Sequence, residues 1–171
     1  MENWKEIYLE LADKLSAIDS IEWVDLWHNQ VNFLEDEHPF PAPALFLSFR
    51  SRQINDSHKD VQQMEVQVDV YLFYETFADT NQGSFNQGDA VDFMDSLSQV
   101  NKLLHGSDGD TYSEMSRISI APIDTGSAQN LYRQSFTCLL VDESAYSGAE
   151  DIVDEQGQPV SETKFDGYDM G

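Results

Sequence analysis

The residues of this sequence best suited to metal ligation or proton transfer near neutral pH are its four histidines, His28, His38, His58 and His105. Their spacing supports neither role. None forms a HExxH, HxxxH or His–Cys cluster, so each is expected at the surface or in a helix cap. Carboxylates are abundant, 32 Asp and Glu against 9 Lys and Arg, and Glu35-Asp36-Glu37 and Asp108-Gly109-Asp110 could collect calcium weakly. Neither run has the alternating oxygen ligands and closing glutamate of a calcium loop, so no metal is expected. The single cysteine, Cys138, lies in the apolar run Phe136-Thr137-Cys138-Leu139-Leu140-Val141 and reads as a small buried hydrophobe, not a nucleophile. No Gly-x-Ser-x-Gly elbow, phosphate-cradling Gly-x-x-x-x-Gly-Lys or dinucleotide-binding Gly-x-Gly-x-x-Gly occurs. No catalytic residue and no cofactor-binding residue is therefore assigned, and the chain is expected not to be an enzyme.

A different chemistry is written in the aromatic residues. Trp23 and Trp27 share strand parity and project to one face if the strand is unbulged. Packing in the core is the simpler use of them. With Phe40 nearby they could instead form a contact surface, because aromatic residues are enriched at subunit interfaces. Tyr71 and Phe73, at the aromatic end of a strand, and Phe77 and Phe85, in a long polar loop, complete the candidate interface set.

The formal charge of −23 opposes the attraction on which nucleic-acid and anionic-membrane binders rely. Contacts must then come from shape and apolar patches, or from cations that screen the acid. One cysteine cannot form an internal disulfide, which fits a reducing compartment. The start Met1-Glu2-Asn3-Trp4-Lys5-Glu6 lacks the pattern of a signal peptide, and no stretch is apolar and long enough to span a bilayer.

The elements that must position these residues follow from periodicity. Trp4, Ile7, Tyr8, Leu11, Leu15 and Ile18 recur at helical spacing, with Asn3 as the expected N-cap. Ile21 to Trp27 reads as a strand. Three prolines in Pro39-Phe40-Pro41-Ala42-Pro43 make an extended lead-in to a second strand, Ala44 to Arg50, followed by a polar link from Ser51 to Lys59. The clearest strand places Met64, Val66, Val68, Val70 and Leu72 on one face and Glu65, Gln67, Asp69, Tyr71 and Phe73 on the other. Thr76 to Gly88, about 13 residues and longer than most connections, is a candidate partner-binding loop. A second helix is expected from an Asp89 cap through Val91, Met94, Leu97, Val100, Leu103 and Leu104, ending at His105-Gly106. Met115 to Ile123 and Leu131 to Val141 read as strands joined by the hairpin connection Asp124-Thr125-Gly126-Ser127. The expected fold is α+β, an antiparallel sheet of about four or five strands with two helices covering one face. From Asp142 onward nine acidic residues stand against one basic, so no continuous packed element is expected there. The alternative is a short hairpin of Ile152-Val153 and Gln158-Pro159-Val160 about Glu155-Gln156-Gly157.

The order of these elements resembles that of the tail-terminator and tail-completion proteins of tailed bacteriophages and prophages. It carries an N-terminal helix, the strand Trp23-Val24-Asp25-Leu26-Trp27-His28-Asn29-Gln30, the proline-preceded strand Ala44-Leu45-Phe46-Leu47-Ser48-Phe49, a long alternating strand, a helix and a closing strand pair. The resemblance covers residues 1 to 143 as one domain, with 144 to 171 as an acidic extension that has no counterpart. It implies a virion structural protein assembled in the host bacterial cytoplasm, forming a homo-oligomeric, commonly hexameric ring. Such a ring caps the tail tube and meets head-completion proteins. It implies no cofactor, no membrane contact and no specific nucleic-acid binding, although DNA would pass through the ring. Two other classes stay open on the residues alone. One is an acidic inhibitor that mimics DNA or otherwise binds a protein. The other is an enzyme whose site is assembled from distant parts of the chain.

Overall fold

The computed structural model describes residues 2–32, 40–58, 60–75, 80–124 and 130–145. The first element, α1 (Glu2–Ser16), forms where the helical period was read. Ile7, Leu11 and Leu15 are buried along its inner stripe and Ile18 just past its end, with Trp4 and Tyr8 packed beside them. The helix already includes Asn3, which therefore does not serve as the N-cap.

Five strands make one sheet in the order β1-β2-β3-β5-β4, where β1 is Trp23–Leu26, β2 Ala44–His58, β3 Val61–Tyr74, β4 Ser116–Pro122 and β5 Asn130–Asp142. The pairs β2–β3, β3–β5 and β4–β5 are antiparallel as expected. The short edge strand β1 runs parallel to β2, Trp23 opposite Ala44 through Leu26 opposite Leu47, so the sheet is mixed. A parallel neighbour needs a crossover of about a dozen residues or more. The chain between Leu26 and Ala44 supplies it, with a short 3-10 turn at Gln30–Asn32.

The largest departure from expectation is the segment Ser51 to His58. Its polar composition suggests a turn-rich link, whereas the chain stays extended and β2 runs unbroken to His58. The backbone explains this. Ser51 and Gln53 to Asp56 keep partners on β3, with register shifts between Ser51 and Gln53 and between Asp56 and His58. The side chains of residues 50–57 are all exposed, so no alternation of apolar and polar residues marks them as a strand. Asp60, with φ of +66°, turns the chain into β3, a left-handed position that Asp tolerates.

The second helical region is also divided. A short helix α2 (Gln87–Val91) precedes α3 (Phe93–Leu104), and Asp89 lies inside α2 instead of capping it. Phe93, Leu97, Val100 and Leu104 are buried and Met94 is exposed. Gly106 takes φ of +74° just past α3, as its position after His105 suggests.

The core lies between the helices and one sheet face. Met64, Val66, Val68, Val70 and Leu72 of β3 and Phe136, Cys138 and Leu140 of β5 meet the inner stripes of α1 and α3. Each such aliphatic or aromatic side chain contributes about 1.5–3 kcal/mol by leaving water. The opposite face has its own, smaller cluster of Val31, Ala44, Phe46, Tyr71, Phe73 and Leu131. Among the described residues, neither α1 nor α3 contributes to that cluster.

Candidate assembly surface

The face of the sheet turned away from α1 and α3 is built by strand parity. Side chains that alternate with the Val and Leu row of β3 point to it: Glu65, Gln67, Asp69, Tyr71 and Phe73. The register with β5 sets Arg133 opposite Tyr71 and Ser135 opposite Asp69.

One end of this face is aromatic. The Trp27 ring stacks on Tyr71 with centroids 4.2 Å apart and planes 9° apart, and meets Phe46 edge-on at 6.0 Å. Phe40 packs edge-on against Phe46 at 5.0 Å and Phe73 at 5.4 Å. The proline-rich approach thus delivers Phe40 onto the cluster that Trp27 borders. Four of the seven interface candidates, Trp27, Phe40, Tyr71 and Phe73, therefore gather in one place. Phe73 and Tyr71 are buried and form its floor, while Trp27 and Phe40 are half-buried at its rim. Trp23 is exposed on the edge strand opposite Ala44, itself part of the cluster, in keeping with the shared parity of the two tryptophans. Phe85 stands apart and fully exposed, two residues before α2. Phe77 lies outside the described residues, as does part of the loop from Thr76 to Gly88.

The middle of the face is polar. Asp69 is only 4% exposed, and its Oδ1 accepts hydrogen bonds from Gln67 Nε2 at 2.8 Å and from the Ser135 hydroxyl, which is 1% exposed. Its Oδ2 faces Arg50 at 3.9 Å. Beyond it Arg52 donates to Glu65 at 2.8 Å. A buried polar side chain is tolerated where hydrogen bonds replace those lost to water, and Asp69 has two. The sequence reading did not single out these residues. The available signal was Arg50-Ser51-Arg52 at the end of one strand and the acids Glu65 and Asp69 on one face of the next, overshadowed by the acidic excess.

The other candidates for chemistry fall elsewhere. His105 accepts from the Arg117 backbone N–H through Nδ1 at 3.1 Å, a structural link between the end of α3 and β4. His38 and Glu35-Asp36-Glu37 lie outside the described residues. Asp108-Gly109-Asp110 borders an open cleft of about 860 Å³ against Glu6, Leu9, Glu10 and Lys14 of α1. Its polar groups are tied to one another. Glu10 accepts from the Asp110 N–H at 3.3 Å and the Thr111 hydroxyl at 3.1 Å, while Lys14 donates to the Asp108 carbonyl at 2.8 Å and Tyr112 Oη at 2.6 Å. Gly109 is required there, because a Cβ would stand 1.9 Å from Glu10 Oε1 and 2.5 Å from Tyr112 Cε1. Among the described residues no three His, Cys, Asp or Glu side chains converge as a metal site. No described helix is long and apolar enough to cross a membrane. Cys138 is buried, and burial pushes its thiol up to about 11, as a packing residue requires.

No protein-family model matches the chain, and no curated protein sequence does. Among solved structures it is similar to a chain of the virion of a native gene transfer agent (GTA) particle. The two are 12% identical over 77% of this chain and 84% of that one, with a TM-score of 0.41.

Proposed function

We propose that this chain is a structural subunit of a particle of the tailed-phage type, a tail terminator that forms a ring on the end of the tail tube and joins it to the head. The reading takes its architecture from the resemblance in element order. The observation that carries it is a sheet that, among the described residues, has α1 and α3 packed on one face and neither on the other. The outer half of β2, residues 50–57, has β3 on one side and, among the described residues, no strand on the other, and every side chain is exposed. An open strand edge of this kind offers unpaired backbone groups to a neighbour. Trp23, Leu26, Ile118 and Ile120 add exposed apolar side chains on the two edge strands, β1 and β4. In the cleft at Glu10, the Glu10 carboxylate and the Lys14 ammonium hold the 108–112 loop to α1, a structural use of two of its charged groups. The DNA-mimic alternative gains nothing from the sheet, where all four arginines of the chain reside.

Negative-stain microscopy of the purified full chain, alone and mixed with tail tubes from particles lacking their terminal ring, tests the proposal. Rings in the first sample or capped tube ends in the second support it. Featureless particles of monomer size in the first and bare tubes in the second would overturn it.

A further inference from the structure

In a chain with 9 basic and 32 acidic residues, the placement of the arginines is selective. All four, Arg50, Arg52, Arg117 and Arg133, lie on strands, and Arg50, Arg52 and Arg133 belong to the face turned away from α1 and α3. The layering of charge on that face is the informative feature. Arg50 and Arg52 side chains are 60% and 47% exposed, whereas the carboxylates they meet, Asp69 and Glu65, are 6% and 34% exposed. Cations thus form the outer layer and anions the inner one. Arg133 is half-buried, with its Nε enclosed and without an acceptor among the described residues. The other side of the molecule carries an acidic excess, with Glu6, Glu10 and Asp13 on α1 and Asp108 and Asp110 beside it against Lys14, which pairs with Glu10 at 3.8 Å.

We propose that the arginine-bearing sheet face receives the acidic helix side of a second copy of this chain, in a head-to-tail contact. The proposal rests on the self-assembly reading above and names its surfaces. A symmetric pairing would set arginine against arginine, or carboxylate against carboxylate, in chains that already repel one another at −23 each. Opposite faces brought together avoid both. A contact of this heterologous kind leaves a free donor face and a free acceptor face on every pair, and closes into a ring when the rotation per subunit divides a full turn. Tyr71, which carries the stacked Trp27 ring, lies opposite Arg133 on the same face, and arginine with aromatic side chains is the composition that dominates interface energetics. A polyphosphate strand is the competing occupant. It is disfavoured because Asp69 and Glu65 underlie the cations and the whole chain repels it.

Sedimentation velocity of the full chain over a concentration series, at about physiological ionic strength where net repulsion is screened, provides the test. The double variant Arg50→Gln/Arg52→Gln is compared with Lys102→Gln/Lys164→Gln, which has the same net charge and changes no residue of the sheet or of α1. The first should weaken self-association about tenfold or more, and the second less than about twofold. Arg50→Lys/Arg52→Lys, which keeps both charges, should retain most of the association and separates lost charge from a damaged fold. Equal effects of the two Gln pairs would refute this contact while leaving self-assembly intact. A parent chain that stays monomeric throughout would refute this contact, and the assembly reading would then be decided by the capped or bare tube ends. Binding of short duplex DNA by the parent, lost in the arginine variant, would assign the face to nucleic acid and overturn the proposal.

Discussion

Replacement of Asp69 tests whether the polar centre of the sheet face is a network or a set of incidental contacts. In Asp69→Ala the Ser135 hydroxyl and the Gln67 amide, 1% and 5% exposed, lose their shared acceptor Oδ1. Each buried donor left unpaired costs about 1–3 kcal/mol. The Arg50 contact adds little, since its guanidinium is 60% exposed at 3.9 Å and ion pairs of that kind contribute about 0–1 kcal/mol. The hydroxyl can rotate toward another acceptor, which places the sum near the lower end, about 3 kcal/mol for Ala. Asp69→Asn keeps an oxygen for both donors and loses only the attraction to Arg50, so its cost is about 1 kcal/mol. Urea unfolding followed by tryptophan fluorescence measures both. A cost below about 1 kcal/mol for Ala, or equal costs for Ala and Asn, would show that Oδ1 does not hold the network.

Two further outcomes follow from other parts of the chain. Gly109→Ala should destabilise the protein by about 2 kcal/mol, because the new Cβ displaces the Glu10 carboxylate from Asp110 and Thr111. In a Glu10→Ala background the same change should cost about 1 kcal/mol less, a coupling that a double-mutant cycle in urea reads directly. Cys138 should resist thiol reagents in the folded state and react on unfolding, since it is buried with its thiol raised to about 11. The unfolded chain releases that proton at an ordinary thiol value of about 8.5 while the folded chain retains it. Folding stability should therefore fall as pH rises from about 8.5 toward 11, and a Cys138→Ala variant should show a shallower decline in pH-dependent urea titrations.

Much of the fold is readable wherever one face of an element is dry. The alternation Met64 to Leu72 and the stripe Ile7, Leu11, Leu15 and Ile18 are imposed by a single apolar layer, and both elements form as read. Where both faces are wet, the pattern vanishes. The outer half of β2 is held by backbone pairing to β3, to which side-chain polarity is blind. The parallel placement of β1 is hidden for another reason, since strand direction depends on the path of the crossover, not on the four residues that pair. The interface candidates divide along the same line. The parity of Trp27, Tyr71 and Phe73 and the proline-fixed approach of Phe40 are local, and these residues meet. Whether an aromatic side chain becomes floor or rim depends on its neighbours across the sheet, which is why Phe73 is enclosed and Trp23 is not. The arginine layer over Asp69 and Glu65 joins three strands distant in sequence, so it emerges only from their register.

The most direct test of the central claim, that this sheet is completed by copies of the same chain, is native mass spectrometry of the full-length protein at rising concentration. The account expects a closed assembly, a fixed multiple of 19.5 kDa that persists without passing to larger masses. A lone 19.5 kDa species at every concentration would contradict it.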